Sequence, residues 1–493
     1  MPHDFRPRSP ELGVRTYVRT ARRSTSRKTR KVEMLRNFKA TKTVRIRSFV
    51  RSWPQTLHRS SARQFSTYDS NASPKPTEEH KPLRSRTSFT NSLWSTRLQA
   101  MRQAEESTKR KLIPKRMAES YVEGVLPFSS DAEMREDYQN TWGGLRLGKL
   151  FEDLDALSGM IAYRHCEDGD VHTLPLRIVT ASVDRIDLLN PLTADKDLKL
   201  SGHVAYVGKS SMNITIRVEE LPEDGDVSKS TPILLSNFTM VARDPLTNKP
   251  VSINPLHVES EKEKLIASLG NENRKRASYH RSHALSREPP TQEEVARIHS
   301  VWLGQEHLDS MTHDPFHVQP SRSPDQITPA ETALRRVNIC HPQERNIHNN
   351  VFGGYLMRES FDLAHATATL FAHARPIFTS SSSIAFQKPV PIGSILDFHS
   401  RVVYSNVDRG SFSVSVSAEV IDPLTGERQT TCVFHYAFRV KDEKKGTLKQ
   451  IAAVNYGDAM RSVMALRREQ QSGGAEKERQ FEEFEKGRFD PKA

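Results

Sequence analysis

The chain is poor in cysteine, in apolar residues and in long hydrophobic runs. Three cysteines, Cys166, Cys340 and Cys432, cannot form a disulfide framework, which points to a reducing compartment. Apolar residues make up 36% of the 493 positions, too few for a chain folded throughout, so part of it is expected to be linker or tail. No apolar run is long enough to span a bilayer. Several catalytic motifs are missing as well. Without Gly-x-Ser-x-Gly there is no nucleophile elbow of the α/β-hydrolase kind. Without a Walker A loop, or a GxGxxG between strand and helix, the usual nucleotide cradles are absent. No metal site is expected. His313 and His317 stand four apart, but Pro315 between them opposes the helix that would align them. Cys166 and Cys340 each adjoin a histidine, yet adjacency in sequence does not position a base.

What the chain does have is positive charge, a net of +13 from 73 Lys and Arg against 60 Asp and Glu. Its location decides its meaning. Residues 1–68 hold 18 bases and only three acids (Asp4, Glu11, Glu33), a net of +15, which leaves the remainder at −2. A segment rich in Arg and Ser and poor in acids has the composition of a mitochondrial transit peptide, read by the import machinery. Arg63-Gln64-Phe65-Ser66 resembles an Arg-x-Phe-Ser matrix-processing pattern, and Met34 is an alternative start. The competing interpretation is a disordered basic arm on RNA or DNA. The rest of the chain offers no basic face to continue such a footprint, so no nucleic-acid partner is expected and the mitochondrial matrix is.

Residues 69–115 read as a polar linker, 116–247 and 328–445 as globular, and 248–327 as a charged linker or insert with a helix over Gln292–Leu303. Residues 446–493 read as a C-terminal helix and a charged tail that is frayed or disordered at its end. The two globular segments repeat each other. Leu198, Val204 and Tyr206 recur 198 residues later as Leu396, Val402 and Tyr404. Lys209, Ser211 and Met212 recur at 200 as Arg409, Ser411 and Phe412, and Phe238 and Met240 return to 198 as Tyr436 and Phe438. Short loop insertions account for the shift. Each repeat opens on a Gly-rich step into an amphipathic helix (143–165 and 353–373), then runs through alternating strands such as NITIRV and FSVSVSAEV. One long helix and a run of strands make an α+β unit with the helix on a sheet face.

These residues resemble a known family. Asn350-Val351-Phe352-Gly353-Gly354 resembles the step into the helix of the acyl-coenzyme A thioesterase hotdog family, as do GKLFEDLDALSG and the following MIAYRHC over 148–166. KRMAESYVEGVLP over 115–127 is similar to its mitochondrial, double-hotdog members. The resemblance covers about residues 110–465. It implies tandem hotdog domains, each a long central helix wrapped by an antiparallel sheet. It also implies hydrolysis of acyl-CoA to free acid and CoA, no cofactor beyond the CoA of the substrate, and a homo-oligomer.

Thioester hydrolysis needs a group to activate water or attack the carbonyl, donors for the oxyanion, and a place for the phosphorylated coenzyme. Asp155 lies seven residues after Gly148, about two helical turns, and shares a face with the helix start. At that spacing from Gly354 the second repeat has Phe361, with Asp362 one step off as a rival acid. Asn350 precedes Gly354 by four, where the first repeat has Gly144 before Gly148. One repeat keeps the acid and the other the amide. Since the family's site lies between two hotdog units, the resemblance implies one composite site. There Asp155 is base or nucleophile, Asn350 positions water or the carbonyl, and the Gly354 N–H polarises the carbonyl. The plainer alternatives are a helix-dipole role for Asp153 and Asp155 and a capping role for Asn350. Lys209-Ser210-Ser211 and Arg409-Gly410-Ser411 resemble the family's nucleotide-contacting loop, against the alternative of ordinary hairpin turns. Lys388, ahead of Pro389 and Pro391, is a further CoA candidate. Two other functions stay open. One is a hotdog enoyl-CoA hydratase or dehydratase, suggested by His348, and the other is an acyl-CoA-binding protein whose site has decayed.

Overall fold

The structure is a computed structural model that describes residues 110–491, apart from 171, 224–228, 286, 300–323, 345, 347–349 and 471–473. The basic segment, most of the first linker, His313, His317 and His348 therefore lie outside the described residues.

The first repeat runs β1 (Val122–Leu126), α1 (Leu147–Cys166), β2 (Arg177–Val183), β3 (Ile186–Leu188), β4 (Leu198–Val207), β5 (Ser211–Glu220) and β6 (Thr231–Arg243). A helix, α2 (Glu261–Ser282), follows it. The second repeat runs β7 (Leu334–Ile339), α3 (Gly353–Ala372), β8 (Ile377–Ser381), β9 (Ile384–Ala385), β10 (Ile395–Asn406), β11 (Ser411–Ile421) and β12 (Arg428–Arg439). Helices α4 (Tyr456–Gln470) and α5 (Gly474–Lys486) complete the chain.

The twelve strands form one antiparallel sheet in the order β7-β10-β11-β12-β8-β3-β6-β5-β4-β1, with β2 paired to β6 and β9. The repeats join where β8 meets β3 (Ser380 opposite Asp187) and β9 meets β2 (Ile384 opposite Val183). The internal match is physical. β4 bulges between Val204 and Tyr206, and β10 bulges at the matching place between Val402 and Tyr404. The two-residue shift falls in the hairpin after it, as the loop-insertion argument expects. In β11, Phe412, Val414, Val416 and Ala418 are buried while the intervening serines are half exposed, the mark of a strand with one face on a core.

Helix α1 is buried over most of its circumference because the sheet wraps it. Leu150, Phe151, Leu154, Leu157 and Ile161 are all fully covered. Helix α3 crosses α1 near both N-termini, and that crossing makes the functional geometry.

Two segments depart from expectation. The region between the repeats is not only linker. Ser260 caps α2 through a capping box with Glu263, and the helix lays Ile266 and Gly270 against Ala205 on the outer face of β4. Only a few small or apolar contacts are needed there, so a charged sequence hid it. A helix also runs over 292–299, the described part of the Gln292–Leu303 expectation. The tail is ordered by docking rather than frayed. Helix α4 packs Ala465 on Val403 and Tyr404, and Arg467 pairs with Glu294. In α5, Phe484 is buried under the Arg217 guanidinium at 4.4 Å.

Candidate active site

Asp155 sits on α1 with 1% of its surface exposed. Each carboxylate oxygen accepts one hydrogen bond. Oδ1 accepts from the Thr180 hydroxyl of β2 at 2.8 Å, and Oδ2 accepts from the Gly354 N–H at 2.7 Å. The second bond joins residues 199 apart, one from each repeat. Burial pushes the Asp155 carboxyl up to about 6; the Thr180 and Gly354 donors oppose the rise, and the nearby Glu152 charge adds to it.

The paired glycines explain how this contact forms. A Cβ on Gly354 would lie 2.9 Å from Glu152 Cα and 3.0 Å from its carbonyl oxygen, so only glycine lets the helices approach. A Cβ on Gly353 would lie 3.0 Å from Asp155 Oδ2. The expectation that the Gly354 N–H polarises a substrate carbonyl is corrected, because that N–H points at the carboxylate and holds it. Gly353, at the first position of α3, is itself part of the cleft lining, and the N–H groups of a first helical turn have no partner within the helix.

Asp155 and Asn350 line one cleft of about 270 Å³ between the repeats. Asn350 is placed by its backbone. Its N–H donates to Asn346 Oδ1 at 3.2 Å, its carbonyl accepts from Asn346 N at 2.6 Å, and it bridges to Pro391. The floor is apolar and buried, from Ala156, Tyr163, Ile178, Met240 and Leu356. The rim carries Arg177, Arg243 and Lys388, the last donating to Gln429 Oε1 at 2.9 Å.

The other CoA candidates are not on the cleft lining. Lys209, Ser210 and Ser211 form the β4–β5 turn, with Lys209 exposed and the Lys209 and Ser210 carbonyls bonded to Ile253 N and Ala242 N. Arg409 is exposed at the equivalent turn, and the Ser411 hydroxyl donates to Glu469 Oε1 of α4 at 2.5 Å. That hydroxyl is already engaged, and Ser411 does not line the cleft.

The pseudo-symmetric position is filled. Phe361 replaces Asp155, and Phe378, opposite Phe438 as Thr180 is opposite Met240, replaces the threonine. Phe361 meets Phe151, Phe378 and Tyr436 edge-on, with ring centroids 5.1, 5.4 and 5.3 Å apart. The rival Asp362 is held by Arg146 at 2.6 Å and is not on the cleft lining. Sequence reasoning missed Thr180, Arg177 and Arg243. The first had a readable signal, since the reciprocal exchange seen in the helix recurs in the strand as Thr180 against Phe378.

Among the described residues, one carboxylate–histidine cluster, Asp397, His399 and Glu419, has metal-like spacing. Arg335 and Arg428 fill it, at 2.7 and 3.1 Å from Asp397, and Arg335 holds that carboxyl down at about 2. It is an ion-pair cluster. Also among the described residues, no helix is long and apolar enough to cross a membrane.

Comparison with known proteins adds independent observations. The thioesterase superfamily pattern matches residues 148–224. Human mitochondrial acyl-coenzyme A thioesterase 9 is 37% identical over 351 residues, which cover 71% of this chain and 76% of that protein. Acyl-coenzyme A thioesterase 2, chloroplastic, of Humulus lupulus is 33% identical over 392 residues, 77% of this chain and 87% of that one. A solved acyl-CoA hydrolase of Staphylococcus aureus, in complex with butyryl coenzyme A and coenzyme A, is 23% identical. It covers 32% of this chain and 98% of its own, at a TM-score of 0.29.

Proposed function

The chain belongs to the acyl-coenzyme A thioesterase family, and from that premise we propose how its single composite site performs the reaction. The enzyme hydrolyses acyl-CoA thioesters to the free acid and CoA. Asp155 acts as general base. It takes a proton from a water molecule as the water oxygen attacks the thioester carbonyl. The Asn350 side-chain amide and the Gly353 N–H at the α3 N-terminus receive the developing oxyanion. When the tetrahedral intermediate collapses, the C–S bond breaks and protonated Asp155 returns its proton to the departing thiolate. A carboxyl titrating near 6 suits both halves, because it is ionised near neutral pH yet basic enough to accept a proton. Thr180 and the Gly354 N–H orient the carboxylate.

Arg177, Arg243 and Lys388 on the rim supply the positive charge for the coenzyme phosphates. The single observation that carries the mechanism is the buried Asp155 of one repeat bonded to Gly354 of the other, inside the cleft that Asn350 lines. Free-CoA release from a panel of acyl-CoAs tests it. Asp155→Asn and Asn350→Ala are each expected to lose roughly 10²-fold in kcat; near-wild-type turnover in both would sink the composite site.

The protein is mitochondrial, as its human, bovine and mouse relatives of 33–37% identity are named. We place it in the matrix, with residues 1–68 as the import segment. We also propose a homo-oligomer. Edge strand β7 exposes Val337 and Ile339, at 51% and 57%, beside an unpaired row of backbone groups that another chain would cover.

A further inference from the structure

Gly159 stands in the middle of the 20-residue helix α1, where glycine weakens a helix relative to alanine. Close packing is the usual reason to keep it, as at Gly148, where a Cβ would lie 2.8 Å from Asp362 Oδ1. At Gly159 that reason is absent, since a Cβ would meet no atom within 4 Å. Nor is its backbone left-handed, a conformation that would favour glycine. The open space is the cleft. Gly159 lies on its floor one turn beyond Asp155 and one turn before Tyr163.

The second repeat shows this position filled. Counted from the matched Gly148 and Gly354, the counterpart of Gly159 is His365. Its ring packs against Trp142, Phe361 and Phe438 with centroids 5.4, 6.1 and 6.2 Å away, and takes up the corresponding volume.

Resting on the thioesterase assignment above, we propose that Gly159 sets the length and bulk of the acyl chain this enzyme accepts. The floor beside it, from Tyr163, Ile178, Met240 and Leu356, is apolar and buried, while the cations stand on the rim. An acyl-CoA has the same division, a hydrocarbon tail and a phosphorylated head. Apolar matching therefore sends the tail down along α1 past Gly159 and leaves the head at the rim. A side chain at 159 shortens the channel just beyond the reacting carbonyl. Short acyl groups end before it, and long ones must pass it.

The test is kcat/KM for acetyl-, hexanoyl- and palmitoyl-CoA in wild type, Gly159→Ala and Gly159→Leu, with a thermal melt of each. Gly159→Ala should melt no lower than wild type, which keeps the series interpretable. Acetyl-CoA turnover should stay within about twofold in both variants. Palmitoyl-CoA turnover should fall stepwise, by on the order of 10-fold or more for leucine, the size of pocket-volume discrimination. Equal loss at every chain length would overturn the proposal and assign the floor to the pantetheine arm common to all substrates. Unchanged palmitoyl-CoA turnover in Gly159→Leu would overturn it too. A wild type that cleaves none of the three would instead refute the thioesterase assignment itself.

Discussion

Replacing Asp155 by asparagine should inactivate the enzyme and stabilise it. The wild-type carboxyl titrates at about 6 in the fold against 3.8 for an unperturbed aspartate, chiefly because it is buried. A folded-state pKa raised above the unfolded value means that the folded protein holds its proton more tightly. The linked stability is complete below pH 3.8, falls as pH rises through 6, and stays low above that. The rise from 3.8 to about 6, at about 1.4 kcal/mol per pH unit, makes ionised Asp155 a cost of roughly 3 kcal/mol at neutral pH. Asparagine has nearly the same shape and no charge. Its Oδ1 can still accept the Gly354 N–H, and its Nδ2 can donate to the Thr180 hydroxyl. The assay is urea unfolding of both proteins at about pH 4 and about pH 8. The curves should nearly coincide at the acid end, and the variant should be more stable by roughly 3 kcal/mol at the alkaline end. Over the same interval, kcat of the variant should be down by roughly 10²-fold. An advantage that does not grow with pH, or a variant less stable than wild type at pH 8, would refute the assignment of Asp155 as a strained, ionised base.

Other expectations follow from the same geometry. Wild-type kcat/KM should fall on the acid side with an apparent pKa near 6, and Thr180→Val should move that limb to higher pH by removing a donor that favours the charged carboxylate; stopped assays across pH decide it. Gly354→Ala should destabilise by about 1–3 kcal/mol in denaturant melts and depress kcat, because the new methyl meets the Glu152 backbone as well as the Phe352 ring, and the backbone cannot swing aside. Phe361→Ala should cost about 3–5 kcal/mol of stability while leaving kcat within a few fold, since it opens the aromatic cluster without touching the cleft. Ser411→Ala should leave the KM for acyl-CoA unchanged in initial-rate assays, whereas Arg177→Gln should raise it.

The duplication, the α+β order of each repeat and the Asp155/Asn350 pairing are legible because they rest on residue types at fixed spacing. A carboxylate two turns into one helix, facing a phenylalanine at the same place in the other, needs no coordinates to be seen. Thr180 is different. Its exchange for Phe378 marks the position as unequal between the repeats, but only the packing of β2 over α1 shows that its hydroxyl reaches Asp155. At the turn before Ser411 the pattern is legible but its surroundings are not. Its basic-plus-hydroxyl pattern is ordinary in hairpins, and the residue that claims the hydroxyl, Glu469, arrives from a helix 58 positions later. The direction of the Gly354 N–H was equally out of reach, because it depends on how far two helices can close.

The hydrogen bond between Gly354 and Asp155 also bears on what the molecule gained by carrying both repeats on one chain. Two identical subunits around a twofold axis would own two identical sites, and any substitution would strike both. Here a first repeat paired with itself would supply acids without Asn350, and a second repeat paired with itself would supply the amides without Asp155. On that pairing neither half is expected to be active alone, and their mixture should regain activity by complementation. On one chain the two sites can differ, and the second need not keep chemistry. The equivalent position here holds the Phe361 cluster.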